Sequence, residues 1–213
     1  MEPGRLEISE LALPGAFLLS PRAVGDEVVV RYETFRQDDV EDAIGRPFAI
    51  RYSDLSAARR LVLRGIHGTS GEGGRARLFD CVRGSAVHVV VDLRVGSPDY
   101  GLHEKVWLDH RNVSAVFVSE GLGHAWLALE DDTVIACHSS RPDTPGVGYT
   151  VSALDPALAL PWGLTEAPVM SDEDLAAPTA AEALAKGLLP AYEDCLAPYE
   201  RLAPYDRPAL TGD

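Results

Sequence analysis

Short β-prone runs, interrupted at close intervals by turn residues, constrain this chain more than any other feature. Segments 28–35, 61–63, 75–82, 86–93, 104–108, 115–118, 125–129 and 133–138 are rich in Val, Leu, Ile, Phe and Tyr and read as strands. Gly84-Ser85, Gly96-Ser97-Pro98, 109–112, Gly121-Leu122-Gly123 and 130–132 punctuate them as turns. Many short strands at even spacing predict an all-β antiparallel sandwich or barrel, with the jelly roll and its rivals left open by pattern alone. After position 172 the composition shifts to Ala, Glu, Leu and Pro. The segment 179–188 is predicted as a short helix, 38–44 as a loop or helical turn, and 196–213 as a loose or wrapping tail. One domain over 1–190 with a C-terminal tail over 191–213 is the expected organisation.

Charge and composition exclude several classes. The chain of 213 residues carries 33 acidic against 19 basic groups, a formal charge of −14. That balance argues against a nucleic-acid polymer or an anionic membrane as partner, while leaving room for one nucleotide in a local basic pocket. No apolar stretch reaches the ~18 residues of a membrane span. The first ten residues have neither a basic start nor an apolar h-region, so no signal peptide is expected. Cys81, Cys137 and Cys195 are odd in number and widely spaced. That usage suits free thiols in a reducing cytoplasm.

The segment 61–71, LVLRGIHGTSG, carries the most chemistry. Its apolar start reads as a strand end that delivers Arg64 and His67 into one cavity. A guanidinium holds anions, and an imidazole moves protons near neutral pH. Taken alone, the pair also fits a polar strand end at a sheet rim.

Three further segments shift that balance: 87–98 (VHVVVDLRVGSP), 119–126 (SEGLGHAW) and 170–178 (MSDEDLAAP). With VLRGIH at 62–67, the opening LALPG at 11–15 and the closing GLLP at 187–190, they resemble the dTDP-4-dehydrorhamnose 3,5-epimerase family over about positions 6–190. The resemblance implies a cupin jelly-roll with short C-terminal helices. It implies epimerisation at C3 and/or C5 of a nucleotide-linked 4-keto-6-deoxyhexose, in deoxysugar biosynthesis for an antibiotic or surface glycan. It also implies a homodimer whose N-terminal strands are exchanged or packed across the interface. The reaction needs a base to remove a proton acidified by the 4-keto group, a stabiliser for the enolate oxygen, and an acid on the opposite face. His67 matches the family's base, and Asp174 the carboxylate that orients it. Arg64, Arg77, His124, Glu33, Ser56 and Asp54 match or neighbour substrate-binding positions. Arg77 stands where the family has a lysine, so a planar fork replaces a point charge. No cofactor is implied. No His-x-His pair occurs, so no metal site is expected.

The departures fall on the pocket. Cys137 occupies the place of the family's catalytic tyrosine, and Asp143 that of a second tyrosine. A thiol at 137 either supplies the reprotonating acid or packs as a small hydrophobe. Tyr149 is an alternative acid. Val28-Val29 replace an Arg-Gly pair, Glu173 a basic residue, Asp54 an asparagine, Tyr52 a glutamine and His88 an aspartate. Together these changes predict an altered substrate, an altered stereochemical outcome or lost activity, and the missing tyrosine favours epimerisation at one carbon over both. The rival expectation is a catalytically altered or inactive cupin that binds a sugar nucleotide or another small molecule.

Overall fold

The computed structural model describes residues 6–69, 74–142 and 146–200, and Asp143 lies outside them. The strands in chain order are β1 (Glu7–Glu10), β2 (Ala16–Ser20), β3 (Ala23–Gly25), β4 (Val30–Tyr32), β5 (Tyr52–Ala58), β6 (Leu63–Thr69), β7 (Arg77–Arg83), β8 (Ser85–Val91), β9 (His103–Asp109), β10 (Ala115–Val118), β11 (Gly123–Ala128), β12 (Thr133–Ser139) and β13 (Gly148–Thr150). The helices are α1 (Gln37–Ile44), α2 (Asp172–Leu175), α3 (Ala180–Ala185) and α4 (Tyr192–Glu200).

Two antiparallel sheets face each other. One has the order β1-β2-β10-β7-β12-β5, the other β13-β6-β11-β8-β9, and β3 and β4 form a separate hairpin. This is the expected all-β sandwich. β8 shows how the layers arise. All seven of its residues are buried. Ala86 and Val90 pack with Phe79, Val116 and Ile135 between the sheets. Val87, Val89 and Val91 point the other way, onto Val151, Trp162 and Ala183 of the C-terminal segment. The period of two thus loads both faces of one strand. A third apolar cluster, with Phe48, Phe117 and Leu78, lies under α1.

The strand predictions are corrected mainly at their ends. The apolar run 61–63 is not a strand end but a strand beginning: β6 starts at Leu63 and carries Arg64 and His67 within it. The segment 28–35 forms only the short β4, paired with β3, a three-residue strand outside the predicted runs. Position 38–44 resolves as the helix α1. Residues 192–200 form α4 where a loose tail was expected to begin, and 201–213 lie outside the described residues.

Candidate active site

Backbone pairing assembles the site. β11 lies between β6 and β8, so His124 sits opposite His67 on one side and Val90 on the other. β13 adds to the free side of β6 and sets Thr150 opposite His67 and Tyr149 opposite Gly68. The loop before α2 runs beside β6: Leu63 N donates to Val169 O at 2.9 Å, and Val169 N to Leu61 O at 2.8 Å. That pair of hydrogen bonds holds the chain entering α2 beside the strand. Ser171 caps α2 by accepting from Asp174 N at 3.1 Å, so the cap also orients the residue above it.

Asp174 is 0% exposed at its side chain, and every one of its partners donates. His67 Nε2 stands 2.7 Å from Oδ1, and Gly65 N donates to the same oxygen at 3.3 Å. Ser171 Oγ donates to Oδ2 at 2.7 Å, and Arg64 Nε lies 3.2 Å from it. A buried carboxylate is tolerated because both oxygens are satisfied, one by a cation. Since a carboxylate only accepts, the neutral His67 carries its proton on Nε2 and its lone pair on Nδ1.

His67 opens onto a cavity of about 580 Å³, lined also by Arg64, Arg75, Arg77, Tyr149 and Glu173. Gly68 is required by the cavity wall. A Cβ there would meet the Tyr149 ring at 2.1 Å, so only glycine lets the phenol lie across β6.

His124 has a different place from the one expected. It is buried behind the cavity, and its Nε2 is 2.8 Å from Arg77 Nη1. A guanidinium only donates, so Nε2 accepts and the imidazole backs Arg77 rather than offering that nitrogen to a sugar. Burial, with the Arg77 charge second, holds the His124 pKa well below its ordinary value. Its ring is stacked on His88 at 5.6 Å between centroids and lies 4.3 Å from Phe79.

Cys137 lies on β12 opposite Phe79 and Asp54, packed against the apolar cluster between the sheets, and is not among the cavity-lining residues. Tyr149 lines the cavity, and its hydroxyl donates to Gly121 O at 2.9 Å. Asp54 and Ser56 lie exposed on the edge strand β5, and Glu33 follows β4, where it pairs with Arg36. These three do not line the cavity with His67. Arg75 was missed by sequence reasoning. The available signal was its i, i+2 spacing from Arg77, which puts both on one face of an extended segment. Among the described residues, no group of three His, Cys, Asp or Glu side chains is arranged to hold a metal ion.

His88 gives the site an acid limit. It is fully buried, neither ring nitrogen has a hydrogen-bond partner, and burial pushes its pKa down to about 3. In the unfolded chain the imidazole takes up a proton below about 6.5, whereas the folded chain refuses it until about 3. The stabilising contribution is therefore complete above about pH 6.5 and is lost as pH falls through that window. The urea midpoint is expected to drop from pH 7 to pH 4.5, and His88→Leu to drop less over the same range. Equal slopes for the two proteins would show that His88 does not carry the effect.

The geometry can be set beside known proteins. A family model described as dTDP-4-dehydrorhamnose 3,5-epimerase matches residues 10–182. A dTDP-4-dehydrorhamnose 3,5-epimerase of Mycolicibacterium smegmatis is 37% identical over 193 residues, covering 91% of this chain and 95% of the relative. A dTDP-4-dehydrorhamnose 3-epimerase of Streptomyces niveus is 38% identical over 208 residues, covering 98% and 99%. The crystal structure of NovW, a 4-keto-6-deoxy sugar epimerase from the novobiocin biosynthetic gene cluster of Streptomyces spheroides, superimposes with a TM-score of 0.86 at 38% identity, over 90% of this chain and 96% of that one.

Proposed function

We propose that this chain, which belongs to the dTDP-4-dehydrorhamnose 3,5-epimerase family, epimerises a dTDP-linked 4-keto-6-deoxyhexose by removing and returning a proton next to the keto group. The observation that carries the reading is the 2.7 Å contact of His67 with a fully buried Asp174, beside a cavity walled by three arginines. His67 Nδ1 is the base. Asp174 holds the proton on Nε2 and stabilises the imidazolium once Nδ1 has taken the sugar proton. Arg64, Arg75 and Arg77 supply positive charge for the enolate oxygen and the diphosphate, with His124 bracing Arg77. Neither step needs an added cofactor: the keto group acidifies the proton, and the arginines receive the charge. The substrate places the reaction in deoxysugar biosynthesis.

The acid on the opposite face is assigned between Cys137 and Tyr149. Cys137→Ala and Tyr149→Phe are to be followed by two readouts in deuterated water, isotope exchange at C3 and C5 and net inversion. The acid's variant is expected to keep exchange on the base side and to slow inversion by about 10²-fold or more. Normal inversion in both variants leaves solvent as the acid. A wild-type protein that binds the sugar nucleotide yet exchanges no C–H proton would overturn the epimerase reading in favour of a binding cupin.

The hairpin and the edge strand support a homodimer. Val28, Val29 and Leu55 are 88%, 63% and 71% exposed, and β5 ends its sheet. Apolar side chains along an unpaired edge favour covering by a second copy. Glu33, Asp54 and Ser56 belong to that surface. Among the described residues no helix is long and apolar enough to cross a membrane. Cys81, Cys137 and Cys195 form no disulfide, which suits the cytoplasm.

A further inference from the structure

The C-terminal helix α4 lies outside the span matched by the family model, and none of the three apolar clusters draws on it. It is nevertheless docked by specific contacts. Tyr192 N donates to Val95 O at 2.9 Å, and Val95 N to Pro190 O at 2.8 Å, tying the helix start to the chain after β8. The Tyr192 ring lies 4.8 Å from the Arg94 guanidinium carbon. Arg94 in turn grips the buried Asp92 through Nε at 3.0 Å and Nη2 at 2.6 Å. One turn further on, Cys195 is buried against Gly121.

Gly121 is where the helix meets the site. Its φ is +86°, and a Cβ there would fall 2.2 Å from Cys195 Sγ and 2.9 Å from Arg94 Cδ. Both the backbone conformation and the approach of α4 therefore demand glycine. The carbonyl of the same residue accepts the Tyr149 hydroxyl at 2.9 Å. Gly68 and Gly123 surround that hydroxyl, since a Cβ on either would lie 2.3 Å or 3.1 Å from it. Tyr149 walls the cavity directly beside His67, and His124, three residues after Gly121, follows on β11 to brace Arg77.

We infer that α4 is a positioning element of the active site, in which Tyr192 and Cys195 lock the Gly121 turn and the Gly121 carbonyl in turn holds Tyr149 against the cavity. The physical reason is rigidity. A single carbonyl on a glycine-rich turn is a poor anchor when the turn is free to move. Pressed between a buried thiol and the stem of a buried, carboxylate-held arginine, it has one place to go. Small displacements at a reacting centre are costly, and about 1 Å is enough to lose 10²-fold in rate.

The test uses the full-length protein with the double substitution Tyr192→Ala/Cys195→Ala, and Tyr192→Phe as the conservative variant. The substrate is a dTDP-4-keto-6-deoxyhexose. The double variant is expected to lose tenfold or more in kcat with a smaller change in KM, while Tyr192→Phe, which keeps the ring over the guanidinium, stays within about twofold of wild type. The second readout needs no catalysis and so stands apart from the proposed reaction. Tyr149 ionisation is followed by tyrosinate absorbance, with Tyr149→Phe made in each background to isolate that phenol. Burial pushes the phenol well above its ordinary range in the wild type. In the double variant it is expected to titrate closer to a free tyrosine. Wild-type kcat together with an unchanged Tyr149 titration in a folded double variant overturns the inference. A changed titration with an inactive wild type leaves the positioning role standing and refutes the epimerase reading alone.

Discussion

His67→Asn is expected to abolish exchange of the sugar C–H protons with solvent, a loss of about 10²- to 10⁴-fold or more, while leaving the fold in place. Asparagine leaves Asp174 its Gly65, Ser171 and Arg64 donors, so the buried carboxylate keeps its partners. What it cannot do is accept and hold a proton at neutral pH, and that is the only function assigned to Nδ1. The His67 side chain is 26% exposed and sits at a cavity wall rather than in an apolar cluster. The substitution should therefore cost little stability, within about 1 kcal/mol. The measurement is deuterium incorporation at C3 and C5, with circular dichroism and dTDP binding as controls. A variant that binds dTDP normally and exchanges at the wild-type rate would show that the base lies elsewhere.

The sequence exposed the interior of this protein far better than its margins. β10 was legible to the residue because its four residues are all buried and apolar. β8 was legible through its run of buried valines, which outweighs Ser85 and His88. β5 was not, because residues 52–57 expose their side chains and only backbone pairing with β12 makes a strand of them. β1 and β13 are similarly held by their neighbours, the latter through a three-residue contact with β6. In the site, 107 positions separate His67 from Asp174, and no spacing rule connects them. Only the family resemblance did. His124 was legible as a polar residue at a strand start, but its direction was not: whether an imidazole faces substrate or a neighbouring arginine depends on cross-sheet packing, here with Arg77 and Phe79. Cys137 illustrates the converse. The family resemblance set it in the place of the catalytic tyrosine, and only the fold shows its surroundings, the inner face of β12 beside apolar neighbours.

Asp174→Asn is expected to be nearly as damaging as loss of the base, and for a reason that can be read from its partners. His67, Gly65, Ser171 and Arg64 all present donors to the two carboxylate oxygens. An amide of the same shape offers one acceptor and one donor, so one side of the site must meet donor against donor. If the amide nitrogen turns toward His67, the imidazole must accept on Nε2 and move its proton to Nδ1, which removes the base. If it turns toward Arg64 and Ser171, the hydroxyl can rotate to accept, but Arg64 loses its carboxylate. The first arrangement predicts a fall of about 10²- to 10⁴-fold in exchange. The second predicts a smaller fall, with weaker binding of the anionic substrate. Stability should decline by about 1–3 kcal/mol in either, the cost of a buried polar mismatch. Arg64 is 44% exposed and can be solvated, which keeps the penalty below that of an isolated buried ion. Nitrogen-15 shifts of the His67 ring distinguish the two, since they report which nitrogen bears the proton. An amide variant with wild-type exchange and an unaltered ring tautomer would refute the orienting role of Asp174 and leave the buried carboxylate a structural tie between α2 and β6.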